Sequence, residues 1–143
     1  MAEQHFIDLC EGGDLVGAQR LFQLNPNIDI SANNEQAFRY TCLEGHLHVA
    51  QWLFQVCPTI NISADDEYAF RWACMEGHLE IAQWLLLIKP TINISINYEE
   101  AFRHSCIKGQ LHVAQWLQSL KLYLYVIIYD ENGKYKDCRI AHK

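Results

Sequence analysis

One stretch of this 143-residue chain is spelled three times at a fixed step. Ala37-Phe-Arg-Tyr-Thr-Cys-Leu-Glu-Gly-His-Leu47 returns as Ala69-Phe-Arg-Trp-Ala-Cys-Met-Glu-Gly-His-Leu79. It returns again, 32 residues further on, as Ala101-Phe-Arg-His-Ser-Cys-Ile-Lys-Gly-Gln-Leu111. Ala-Gln-Trp-Leu at 50–53, 82–85 and 114–117 keeps the step, as do Pro26, Pro58 and Pro90. A worn first copy precedes them, with Phe6, Cys10, Gly13 and Ala18-Gln19 in the same columns. Such a period constrains the fold more than any single motif, because each unit must be one supersecondary piece that buries its apolar face against its neighbours.

Each unit reads as two helices. The first spans roughly Glu35 to Glu44, with Phe38, Thr41, Cys42 and Gly45 on one face at helical spacing. Asn33, Asp65 and Asn97 stand before it as N-cap candidates, and Gln36 and Glu100 are placed to close capping boxes. Gly45, Gly77 and Gly109 end it, since glycine enters the left-handed region at little cost. The second helix spans roughly Leu47 to Val56, with Leu47, Ala50, Leu53 and Phe54 inward, and Pro58 and Pro90 stop such helices. Pro-Thr-Ile-Asn-Ile-Ser between units suits an extended loop. The chain divides into an array over 1–120 (units 1–27, 28–59, 60–91 and 92–120) and a C-terminal segment over 121–143.

The unit resembles the ankyrin repeat. Gly-His-Leu-x-Val/Ile-Ala-x-x-Leu is similar to that family's Gly-His-x-x-Ile/Val-Val-x-x-Leu-Leu. Thr41-Cys42, Ala73-Cys74 and Ser105-Cys106 occupy its paired small positions, and Ile60-Asn61 and Ile92-Asn93 match the Val-Asn that opens its inter-repeat hairpin. The family's Thr-Pro-Leu-His start is here Gln/Tyr/Glu-Ala-Phe-Arg, which puts its Thr–His bonding in doubt and leaves Arg39, Arg71 and Arg103 to bond loop carbonyls. The spelling is also similar to divergent arrays of large DNA viruses. The resemblance implies an all-α helix-turn-helix solenoid of about four units that binds another protein through its concave face and loop tips, without catalysis.

The columns that change between copies are the recognition candidates. They are Asn34, Asp66 and Tyr98; Gln36, Tyr68 and Glu100; Tyr40, Trp72 and His104; and Glu44, Glu76 and Lys108. Positions 36, 40 and 44 form a stripe opposite Phe38 and Cys42, and Tyr and Trp there have the amphipathic character of interface hot spots. The plainer alternative is a solvated face that drifts in composition.

Other constellations are weighed the same way. Cys10, Cys42, Cys74 and Cys106 form one inward column suited to close helix packing, while Cys57 and Cys138 have no obvious partner. Cys42 with His46, and Cys74 with His78, have the spacing of metal ligands, but the intervening glycine breaks the helix and the third copy has Gln110. Trp52, Trp84 and Trp116 read as repeat-to-repeat packing, and Arg20 in their column is placed to stack on Trp52. No nucleophile–base pair or phosphate loop stands out, so neither an enzyme nor a cofactor or metal is expected.

The net charge of -6 disfavours nucleic acid and anionic membranes as partners. The first residues lack the pattern of a signal peptide and no apolar run spans a bilayer, so the expected place is the cytoplasm, a host's cytoplasm for a viral chain.

Both ends of the array depart from the repeat. Asp8, Glu11, Asp14 and Arg20 make the first unit polar, as a solenoid cap requires. Leu122 to Tyr129 and Lys134 to Ile140 read as a short β-hairpin turning at Asn132-Gly133, in a register left open. That hairpin either covers the last unit or awaits a partner, and Cys138 keeps the 32-residue step from Cys106. The expected function is a monomeric protein-binding module. The alternative is a structural spacer or a subunit that self-associates through the hairpin or the Trp52/Trp84/Trp116 face.

Overall fold

The 32-residue period becomes four helix pairs in a computed structural model that describes residues 2–121 and 124–141. The pairs are α1 (Ala2–Glu11) with α2 (Leu15–Leu24), α3 (Ala32–Glu44) with α4 (Leu47–Val56), α5 (Ala64–Met75) with α6 (Leu79–Ile88), and α7 (Ile96–Ile107) with α8 (Leu111–Leu120). Strands β1 (Tyr125–Tyr129) and β2 (Tyr135–Ile140) follow. Each first helix packs on the first helix of the next pair, so α1, α3, α5 and α7 form one row. The second helices rest mainly on their own partners.

The start of each first helix differs from the capping expected. Asn33, Asn34 and Glu35 are all left-handed, with φ of 56°, 58° and 62°. Asp65-Asp66-Glu67 and Asn97-Tyr98-Glu99 repeat this geometry. The right-handed helix therefore begins after Glu35, and Asn33, Asp65 and Asn97 are not its caps. The Asn33 amide instead donates to Gln36 Oε1 (3.1 Å), and that of Asn97 to Glu100 Oε2 (3.4 Å). The preceding loop is tighter than an extended segment. Asn61 Oδ1 accepts from the Ser63 amide, Asp29 and Asn93 do the same for Ser31 and Ser95, and Ile60, Ile62 and Ile92 plug the loop into the core. The strand-like Val-Asn hairpin of the resembled family is thus replaced by Asx turns and a left-handed turn.

Three consecutive non-glycine residues in this region cost on the order of 1 kcal/mol each and need outside support. The arginine column supplies it. Arg39 Nε donates to the Asn34 carbonyl (2.8 Å) and Nη2 to that of Asn33 (3.3 Å). Arg71 clamps Asp66 and Asp65 in the same way, and Arg103 clamps Tyr98 and Asn97. Glu35, buried beneath its turn, accepts from the Asn61 amide of the next unit at 3.0 Å.

The inter-unit contacts use the repeated columns. Trp52, Trp84 and Trp116 face Phe6, Phe38 and Phe70 of the unit before, at 6.0–6.2 Å between ring centroids. The tryptophan ladder is therefore packing between repeats. Phe22, not Arg20, provides the second contact with Trp52, edge-on at 6.0 Å. In the second helices Ala50 and Leu53 are buried as expected and Val49 joins them, while Leu47 and Phe54 pack half-buried against the core. Cys10, Cys42, Cys74 and Cys106 lie in the core, where burial raises their thiols well above the usual range, Cys10 to about 12.

At the far end β1 and β2 pair antiparallel, with Tyr125 opposite Ile140, Ile127 opposite Cys138 and a bulge at Ile128/Tyr129. Leu122 and Tyr123, expected to open the first strand, lie outside the described residues. Tyr125 stacks on Phe102 at 4.1 Å and 4° between planes, taking the place that a tryptophan takes over Phe6, Phe38 and Phe70. Its hydroxyl donates to Glu99, the counterpart of Glu35. Cys138 closes on Cys106 rather than standing apart, and both line a cavity of about 230 Å³ between α7 and β2. The hairpin covers the last unit by imitating the contacts of a next one.

Candidate functional site

The stripe of changing columns runs along the row of first helices, on the side away from Phe38, Phe70 and Phe102. Tyr40 and Tyr68 stack across the α3/α5 boundary at 6.0 Å, and Trp72 lies tilted against Tyr68 at 5.8 Å. All three are half-buried, so each keeps one side in solvent. Burial, followed by the Tyr40 hydroxyl nearby, raises the Tyr68 phenol above its ordinary range, so Tyr68 stays a neutral donor near pH 7.

Cations hold this strip from beneath and beside it. The Arg39 guanidinium lies over Tyr68 at 4.7 Å and Tyr40 at 5.5 Å, and Lys108 Nζ lies 5.6 Å from Trp72. Each cation also has an acid in a neighbouring unit. Arg39 meets Asp65 at 3.4 Å, Arg71 meets Glu100 at 2.7 Å and Lys108 pairs with Glu76. Burial pushes the Glu100 carboxyl up, but hydrogen bonds from Arg71 and Asn97 outweigh it and hold the group below the ordinary carboxylate range. Stacked rings and paired cations make a pre-ordered surface, which lowers the entropy lost on binding.

The structure joins some of the recognition candidates and separates others. Tyr40, Tyr68, Trp72, Glu76 and Lys108 form one connected cluster. Glu100 is tied to Arg71, while His104 is half-buried in the same column as Tyr40 and Trp72. Asn34, Asp66 and Tyr98 stand exposed on the left-handed turns, Gln36 is engaged with Asn33, and Glu44 is exposed at the end of α3. Arg39 and Arg71 were not among the recognition candidates, although they organise the strip. Their invariance across copies marks them as scaffold, and only the stacking geometry reveals that they also touch the variable face.

Two of the further depressions among the described residues lie away from this strip and on the array itself. One of about 400 Å³ is lined by Gly45, Gly77, His78, Glu80 and His112. Its histidines are engaged by the scaffold, with His78 Nε2 donating to the Leu43 carbonyl and His112 Nε2 to that of Gly77. The other, about 480 Å³, is an apolar groove between α6 and α8 lined by Trp84, Leu86, Leu87, Trp116 and Leu120. It opens where Leu86 replaces the phenylalanine found at Phe22 and Phe54.

No family model matches the chain, and no curated protein does either. Among solved structures, an ankyrin repeat family protein from Legionella pneumophila is similar over 84% of this chain, with 30% identity and a TM-score of 0.59. The chain spans 38% of the length of that protein. No described helix is long and apolar enough to cross a membrane. The recurrent spelling, the stacked helix pairs and this likeness lead to one conclusion: the chain folds as a solenoid of ankyrin-like helix-turn-helix repeats.

Proposed function

We infer that this chain is a non-catalytic protein-interaction module that acts as a monomer and contacts its partner through the first-helix face and the loop tips. The observation that carries the reading is Tyr98. It is 88% exposed and held at φ 58°, ψ 48°. Asn34 and Asp66 occupy the same turn position with side chains that tolerate the left-handed region far better. An exposed aromatic kept where a small polar residue is better suited to the fold marks a role outside the fold. The strip of Tyr40, Tyr68 and Trp72 supports the reading with rings of the type that dominate interfaces. The ankyrin repeat fold is generally an interaction scaffold, which agrees with a partner protein rather than nucleic acid, membrane or substrate. The array is taken as 1–120, the hairpin segment as 121–143, and the cytoplasm as its place of work.

The test is affinity capture in reducing buffer with the native chain and the triple variant Tyr40→Ala, Trp72→Ala, His104→Ala. A protein held by the native chain and released by a variant with unchanged helicity supports the face. Equal capture by both moves the function elsewhere.

A second reading has its own observation. The groove at Trp84 and Trp116 carries Leu87 at 77% exposure and Leu120 at 42%, an apolar face suited to self-association or a spacer role. Light scattering after size exclusion separates the two readings. A dimer that Leu87→Lys dissolves supports self-association, and a monomer at micromolar concentration removes it.

A further inference from the structure

The charges around the aromatic strip are unequal in a way that specifies its partner. Every cation that touches the strip is already used within the chain. Arg39 divides its three nitrogens among two turn carbonyls and Asp65, Arg71 does the same with Glu100, and Lys108 is bound to Glu76. The acids outnumber them. Among the described residues, no Lys, Arg or His nitrogen comes within 4.0 Å of the side chains of Asp8, Glu44 or Asp66. All three are exposed.

Their positions bracket the rings. Asp8 holds the Tyr40/Trp72 column in the unit before Tyr40. Glu44 follows Tyr40 by one turn of α3, and Asp66 stands two residues before Tyr68 on the loop tip. The strip is thus an apolar, planar centre whose own cations are neutralised, bordered on three sides by carboxylates that no cation among the described residues neutralises. A face of this kind repels an acidic partner and rewards a cationic one, in encounter rate and in orientation.

We propose that the first-helix face takes a basic segment of a partner protein, with an apolar or aromatic residue over Tyr40, Tyr68 and Trp72 and flanking Lys or Arg side chains on Asp8, Glu44 and Asp66. This rests on the reading of that face as the contact surface and adds the partner's chemistry. Arginine is favoured among the cations, because its flat guanidinium both pairs with a carboxylate and stacks on an exposed ring.

The test is selection of random 12-residue peptides, displayed on phage, against three folded forms of the full chain: native, the charge-reversed variant Glu44→Lys/Asp66→Lys, and Trp72→Ala. Circular dichroism and thermal melts establish that each form is folded. The native chain is expected to enrich peptides of net positive charge with at least one apolar or aromatic residue. Affinity for the best of them, read by fluorescence anisotropy, should fall about tenfold or more on the charge reversal and weaken steeply with added salt. Neutral or acidic winners that Trp72→Ala abolishes would overturn the charge assignment while leaving the face as the contact surface. Enrichment that neither variant alters, or no enrichment at all, would overturn both the basic-segment proposal and the face it rests on.

Discussion

The left-handed turns put one side chain at odds with the fold and make another indispensable to it. Tyr98 holds a conformation for which Asn34 and Asp66 are better suited. Tyr98→Asn should therefore raise stability by about 0.5–1 kcal/mol in urea unfolding while weakening partner binding, the trade-off expected of a contact residue. A drop in stability would instead make the ring part of the fold. Arg71 is the opposite case, being 9% exposed and bound to the carbonyls of Asp65 and Asp66 and to Glu100. Lysine cannot bridge three acceptors from one planar head, so Arg71→Lys should cost about 2 kcal/mol. Arg103→Lys should cost less, because Arg103 clamps its turn without a carboxylate in a following unit. The Arg71–Glu100 pair also has a pH signature. The folded Glu100 carboxyl titrates below its ordinary range, so its contribution is present above the unfolded value of about 4.3 and is lost as pH falls through the lower folded value. The stability gap between the native chain and Glu100→Gln, measured by urea titration from pH 6 to pH 3, should shrink over that acid window.

At the scale of elements, the helix-ending glycines have two duties that the sequence shows as one. A methyl group at Gly45 would lie 2.5 Å from the His78 ring of the next unit, and φ there is +89°. Gly109 has the same kind of turn, φ +75°, with nothing within 4 Å of that position. Gly109→Ala should cost about 1 kcal/mol from backbone strain alone, and Gly45→Ala clearly more. Adding His78→Ala should recover part of the Gly45→Ala loss in thermal melts, whereas equal costs for the two glycines would show that the histidine simply moves aside. The spacing of Phe, Cys, Gly and Trp was enough to read the helix pairs, the buried cysteine column and the packing of the tryptophan ladder. It also pointed to the arginines as carbonyl donors. The left-handed turns were missed because Asn33 and Asp65 suit an N-cap and a left-handed turn equally well, and only the carbonyls that meet Arg39 and Arg71 tell these apart. On the second helix Val49, absent from the expected inward set, is buried more deeply than Leu47; both are aliphatic, and spacing alone does not rank them. At the candidate site, the changing columns gave Tyr40, Tyr68 and Trp72. Their stacking, and the cations beneath them, depend on the distance between helices, which no single unit encodes.

At the scale of the whole array, the first and last described units differ from those between them, and units of this kind cannot stand alone. In the first unit, Asp14 and Arg20 hold the columns from which His46 and Trp52 reach back in the second, so that unit carries charged side chains where the next carries its inter-unit contacts. At the last, Tyr125 performs two such contacts at once. Its ring lies flat on Phe102 and its hydroxyl donates to Glu99, which Lys121 also approaches at 3.6 Å. Burial, reinforced by the Glu99 carboxylate, raises the Tyr125 phenol well above its ordinary range, so the hydroxyl keeps its proton and the bond holds across the neutral range. Tyr125→Ala removes a fully buried ring and leaves Phe102 without its cover, a loss of about 3–5 kcal/mol at one end of the array. Tyr125→Phe keeps the ring and leaves Glu99 without one donor, a loss of about 1–3 kcal/mol. In a stack whose units touch only their neighbours, that loss should not spread evenly. Hydrogen exchange should show the amides of α7 and α8 opening far faster in Tyr125→Ala, with those of α3 and α4 little changed. Uniform acceleration across all eight helices would mean that the array unfolds as one cooperative body and that the hairpin stabilises the whole of it rather than its last unit.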